Sequence, residues 1–252
     1  APADLHLASE PDTVIGLLCQ HLKIHGKELD DNLPTCPAFK IGQRSDELDT
    51  KNLSASIGEG LAGETVCLVR LPLGWIGESW HFRHPLDYLG YDGGAGIGSG
   101  PGMLVGAALA LRDGKRLPVA VLGDGDYMMG VSALWTAARY HIPFLAIIAN
   151  NRSFYNDEIH QEKVANERQR PPENKWIGQH IGGPDIDLNA IAKAQGLMTL
   201  GPSKNVGELA DIVRAAVKLV QAGKTVVIDA QINPGYDKSM SAGMTRKVGE
   251  TA

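Results

Sequence analysis

Two short apolar runs, 117–122 (LPVAVL) and 144–149 (FLAIIA), each stop at a flexible or polar pair, Gly123-Asp124 and Asn150-Asn151, and this limits the fold more than any other feature of the chain. Runs of this length bounded by turn residues read as buried strands. Between them Val131, Leu134, Trp135 and Ala138 recur at i, i+3, i+4 and i+7, the period of a helix. The pattern predicts a β-α-β unit. A right-handed crossover between parallel strands brings both carboxyl ends to one edge of the sheet, where open α/β proteins bind their ligands.

The rest of the chain extends this pattern. A helical stretch near 11–22 is followed by a polar connection holding Pro34 and Pro37, so a domain boundary is expected near residue 45, with 1–45 separate from 46–252. Residues 53–61 read as a helix and 65–71 as a strand. The glycine-rich segment 90–102 leads into a helix with Pro101 in its first turn and small residues at Gly106, Ala107, Ala108 and Ala110 for close packing. Segment 152–184 is a long connection, of the kind that forms lids or mobile segments, with a polar helix at 156–168 stopped by Pro171-Pro172. Helices at 188–194 and 206–222, the latter ended by Gly223, and a strand at 225–231 complete the chain. Strands alternating with helices indicate an α/β fold, a doubly wound, mainly parallel sheet with helices on both faces.

Asp124 and Asn151, 27 positions apart, would meet at adjacent strand ends. A carboxylate and a side-chain amide are hard oxygen ligands, suited to Mg²⁺ or Ca²⁺ and poorly suited to zinc. Mg²⁺ held by few protein oxygens completes its shell with phosphate and water. Gly123 and Gly125 allow close backbone approach, and the amides of the following helix N-terminus favour an anion. The expected occupant is a metal-bridged diphosphate.

Through WHFRHPLDYLGYDGGAGIGSGPG, VAVLGDGDYMMGVSALWTAARYHIP and FLAIIANNRSFYN, from about Trp80 to Asn156, the chain resembles the thiamine-diphosphate-dependent decarboxylases and carboligases that include acetolactate synthase and benzoylformate decarboxylase. The resemblance implies thiamine diphosphate and Mg²⁺ as cofactors. It implies Asp124, Asn151 and the Ser153 carbonyl as metal ligands, with Gly96, Gly123, Gly125, Asp126, Asn151, Ser153 and Phe154 against the cofactor. Ile97 matches the bulky residue that wedges thiamine into its bent shape, and the Ala95 carbonyl and Ile97 amide should face the aminopyrimidine. Many family members carry Ser or another small residue after GDG, whereas an ionised Asp126 cannot donate to phosphate. Asp126 is therefore either a phosphate contact or a helix N-terminal acid suited to the macrodipole.

In that family a middle domain precedes the diphosphate-binding one, so 1–45 resembles the end of such a domain with its linker, and the chain the C-terminal part of a longer polypeptide. A separately encoded subunit is the rival. The glutamate that activates the aminopyrimidine lies in the family on a pyrimidine-binding domain, expected from the missing N-terminal part or a partner chain in a homodimer or homotetramer. The substrate would be a small carbonyl compound or 2-oxo acid, and the reaction decarboxylation, ligation or cleavage beside the carbonyl. Two other classes are weighed: a non-catalytic module that keeps the cofactor pocket, and a redox enzyme using a flavin on the missing part.

Candidate proton-transfer groups carry two readings each. His81 and His84, in WHFRHP, either reach the substrate or are structural. Asp157 and Glu158, six and seven residues past Asn151, lie where some decarboxylases place a relay acid, and equally where acids cap helices.

Other motifs are absent. The glycine run never gives G-x-G-x-x-G in register, and neither a Walker A loop nor a G-x-S-x-G elbow occurs. With 43% hydrophobic and 21% charged residues the composition is that of a globular enzyme, and a net charge of -5 argues against a non-specific nucleic-acid surface. No apolar stretch reaches membrane-spanning length. The three cysteines, Cys19, Cys36 and Cys67, lack zinc-ligand spacing and read as small buried hydrophobes in a reducing cytoplasm.

Overall fold

The computed structural model describes residues 7–25, 37–38, 42–90 and 96–235. The chain divides into two compact units, Ala1–Cys36 and Pro37–Ala252. In the first, α1 (Pro11–His25) starts on a proline and carries Asp12 in its first turn, both suited to a helix N-terminus. Its Ile15, Leu17, Leu18 and Leu22 are exposed, and so is Cys19, against the expectation of burial.

The second unit is built on five parallel strands, β1 (Val66–Leu68), β2 (Leu117–Gly123), β3 (Phe144–Asn150), β4 (Met198–Ser203) and β5 (Thr225–Gln231), in the order β1-β2-β3-β5-β4. The central strands are buried on both faces, so their side chains alternate between two cores. Val119, Val121, Leu145 and Ile147 face one core, completed by Leu53 and Ile57 of α2 (Leu53–Gly60) and by Leu209, Val213 and Val217 of α8 (Val206–Gln221). Ala120, Leu122, Ala146 and Ile148 face the other, with Leu104 of α3 (Gly100–Ala110), Leu134 of α5 (Ala133–Tyr140) and Leu188 of α7 (Leu188–Ala194). Helices on both faces make the sheet doubly wound.

Three details depart from the sequence pattern. The helix between β2 and β3 is two helices, α4 (Asp124–Gly130) directly after the strand and then α5, and Trp135 stays 56% exposed despite its place in the apolar repeat. The first strand is shorter than expected, Val66–Leu68, and β4 lies where no strand was read. The polar helix of the long connection forms as α6 (Tyr155–Glu167).

Candidate functional site

β2 and β3 end side by side, with Gly123 paired to Ala149, so Asp124 and Asn151 leave neighbouring strands at the carboxyl edge of the sheet. There a cleft of about 440 Å³ opens, lined by Gly123, Asp124, Gly125 and Asp126 from one strand end and by Asn151, Ser153, Phe154 and Asp157 from the other. Ile97 and an apolar wall of Leu71, Pro72 and Trp75 line it as well.

Asp124 is 2% exposed at the start of α4. Its Oδ1 accepts the Gly125 N–H at 2.9 Å, while Oδ2 is buried with no hydrogen-bond partner. Burial pushes its carboxyl up to about 6, the Gly125, Arg152 and Ser153 amides pulling the other way. An incompletely satisfied buried carboxylate is costly, and a cation at its free oxygen removes the cost. Asn151 turns its Oδ1 to the Ser153 N–H at 3.0 Å, folding the 151–153 segment over the strand end, and Arg152 takes the left-handed conformation with φ 58°. Among the described residues no three His, Cys, Asp or Glu side chains gather into a metal site. A cation here would take one carboxylate with amide and carbonyl oxygens, a donor set that fits Mg²⁺ shared with phosphate.

Gly125 is packed so closely that a Cβ would lie 2.1 Å from Cε1 of Phe154. Its lack of a side chain lets α4 start against that ring. Asp126, which lines the cleft, is bound inside the chain: Oδ1 accepts the Gly98 N–H at 2.6 Å and the Gly100 N–H at 3.3 Å, and Oδ2 lies 3.3 Å from Arg70 Nε. Arg70, 4% exposed, also donates from Nη2 to the Gly96 carbonyl at 3.1 Å. Gly96 is exposed and Ile97 is 45% exposed; Ala95 lies outside the described residues.

The candidate acids separate. Asp157 lines the cleft, whereas Glu158 is buried outside its lining and accepts the hydroxyl hydrogen of Ser153, fixing the segment after the asparagine pair. His84 caps the 3₁₀ turn Pro85–Asp87, its Nδ1 accepting the Leu86 N–H at 3.0 Å. His81 is exposed with Nδ1 3.5 Å from Arg83 Nη2, and neither histidine lines the cleft.

Two residues that sequence reasoning passed over support the site. Asn150 donates from Nδ2 to the buried Asp229 Oδ1 at 3.0 Å, tying β3 to β5, while burial raises the Asp229 carboxyl above its ordinary value. The signal was the strand's alternation, which turns neighbouring Asn150 and Asn151 to opposite sides. Arg70 had a fainter signal, a lone charge closing an apolar run.

Comparison with known proteins identifies the family and the fold. The family model described as thiamine pyrophosphate enzyme, C-terminal TPP binding domain, matches residues 72–230. Benzoylformate decarboxylase of Pseudomonas aeruginosa is 26% identical over 157 residues, 61% of this chain and 29% of that protein. The Mycobacterium tuberculosis protein named "Putative acetolactate synthase large subunit IlvX" is 32% identical over 153 residues, 60% of this chain and 27% of that protein. The thiamine diphosphate-dependent 4-hydroxybenzoylformate decarboxylase of Rhodococcus jostii RHA1 superposes with a TM-score of 0.66 at 23% identity, covering 84% of this chain and 37% of that one. Benzoylformate decarboxylase of Polynucleobacter necessarius gives 0.64 at 17% identity, over 87% of this chain and 40% of the other. At these identities the solved structures speak for the fold alone. The chain spans less than a third of the length of the curated relatives it matches.

Proposed function

The chain belongs to the thiamine pyrophosphate enzymes, as their C-terminal TPP-binding domain, and from that premise we propose that it holds the diphosphate and Mg²⁺ of a thiamine diphosphate enzyme that decarboxylates a 2-oxo acid or makes or breaks a carbon–carbon bond beside a carbonyl. The observation that carries the reading is the buried, partnerless Oδ2 of Asp124 in the cleft shared with Asn151 and Ser153. Asp124, the Asn151 amide and the Ser153 carbonyl hold the cation. Gly125 and the first amides of α4 meet the diphosphate, the helix N-terminus adding its partial positive charge.

When bound, thiamine diphosphate accepts the electron pair released as the carbon–carbon bond breaks. The chain's own residues bind and orient. Ile97 would be the bulky residue against bound thiamine, and Leu71, Pro72 and Trp75 keep water from one wall of the cleft. Among the described residues, Asp157 is the acid best located to exchange a proton there, since it lines the cleft while Glu158 is engaged by Ser153. His81 and His84, which do not line the cleft, have no part in proton transfer on this reading.

A pyrimidine-binding segment from elsewhere in the full protein or from a partner subunit completes the site, and the assembly is a homodimer or homotetramer. The matched relatives are three to four times as long as the aligned part, which supports this division. The test is turnover of a panel of 2-oxo acids, pyruvate and benzoylformate among them, with added thiamine diphosphate and Mg²⁺. The full-length protein should release CO₂ or a coupled product from one of them, and the 252 residues alone should not. Vigorous turnover by the 252 residues alone contradicts the division of the site, and no turnover of any panel member by the full protein contradicts the assigned reaction.

A further inference from the structure

Asp126 occupies the position after GDG, yet its side chain is spent inside the protein. One oxygen accepts the N–H groups of Gly98 and Gly100, the other faces Arg70 Nε at 3.3 Å, and both side chains are nearly buried. The contact leaves no slack at the backbone: a Cβ on Gly100 would meet Asp126 Oδ2 at 2.2 Å, and one on Gly130, at the end of α4, would meet the Gly98 carbonyl at 2.1 Å. Arg70, on the chain leaving β1, reaches the same loop by donating to the Gly96 carbonyl at 3.1 Å. Ile97 therefore sits on a turn held at Gly96, Gly98 and Gly100 by one buried ion pair, and its half-exposed side chain projects at the cleft.

We propose that Arg70 and Asp126 form a buried clamp that sets the position of Ile97, and thereby the fit of the non-phosphate part of the cofactor, while taking no part in holding the diphosphate. Both are positioning residues. Charge-assisted hydrogen bonds donated by two loop amides to one carboxylate fix a glycine-rich turn that has little stiffness of its own. Removing one partner of a buried pair leaves the other uncompensated, so the loop relaxes when either side chain changes. The inference rests on the proposed cofactor site.

Calorimetric titration of the full-length protein with thiamine diphosphate, and separately with inorganic pyrophosphate, both with Mg²⁺ present, tests it. Asp126→Asn should weaken thiamine diphosphate about tenfold and leave Mg²⁺-pyrophosphate within roughly twofold of the parent. Arg70→Lys keeps the charge beside Asp126 but loses the guanidinium reach to Gly96, and it should behave the same way; it carries the test if Asp126→Asn does not fold. Ile97→Ala, at an exposed position, should weaken thiamine diphosphate by itself, and Asp126→Asn should add little in that background because both changes remove one contact. Unchanged thiamine diphosphate affinity in both clamp variants, an equal loss of pyrophosphate, or additive losses with Ile97→Ala overturns the clamp. A parent protein that binds neither probe overturns the cofactor site itself, a result distinct from the others.

Discussion

Burial without a full set of donors makes a carboxylate harder to ionise, and Asp124 is in that position, its carboxyl pushed up to about 6. Its folded-state value lies above the ordinary carboxyl value of 3.8, so in the metal-free protein it favours folding fully below about pH 4, and that contribution is lost as the pH rises through about 6. Asp124→Asn removes the loss. The variant should be more stable than the parent at pH 7.5 in EDTA, by up to roughly 3 kcal/mol, and closer to it at pH 4.5. Added Mg²⁺ should reverse the order, because a bound cation favours the ionised carboxylate and the amide offers no charge. Urea unfolding at the two pH values, with EDTA and then with Mg²⁺, measures both effects; parallel pH profiles for parent and variant would show that Asp124 is not strained in the way described.

At the scale of elements, the site depends on helices and strands meeting at distances only small residues allow. α2 crosses α8 with Gly60 against Val213, where a Cβ would lie 2.6 Å from the valine and 2.8 Å from the Ala210 carbonyl. Gly60→Ala should therefore lower stability by about 1–3 kcal/mol while leaving thiamine diphosphate affinity unchanged, since Gly60 and Val213 lie outside the lining of the cleft, which α2 meets only at its opposite end through Leu53. Thermal unfolding alongside cofactor titration separates the two, and an unaffected melting temperature would refute the close crossing. The central strands and their crossover were legible from sequence because β2 and β3 are continuous apolar runs that end on distinctive polar pairs. β4 was not, because MTLGPS combines Gly201 at φ 84° with Pro202 and shifts register between Leu200 and Ser203. An irregular edge strand with five intermediate or exposed residues in a row carries neither the alternation nor the apolar run that marks a strand. The break between α4 and α5 was hidden because the apolar repeat Val131, Leu134 and Ala138 starts only at the C-cap of α4 and continues through α5, so it carries no mark of where one helix ends and the next begins. The roles of Asp126 and Glu158 were hidden for another reason: sequence identifies an acid near a site, but only coordinates identify the amide or hydroxyl that already occupies it.

At the scale of the whole molecule, Leu73 and Ile97 on the cleft wall are 47% and 45% exposed, so the cleft presents apolar surface to solvent, as the proposed division of the site between two segments expects. Within the described residues no helix is long and apolar enough to cross a membrane. The account turns on metal-dependent capture of a diphosphate at Asp124, and calorimetric titration of thiamine diphosphate into the full-length protein tests this most directly. With Mg²⁺ the binding should saturate, and either EDTA or Asp124→Ala should weaken it at least about 100-fold. Equal affinity with and without the metal, or with Asp124 replaced, would contradict it.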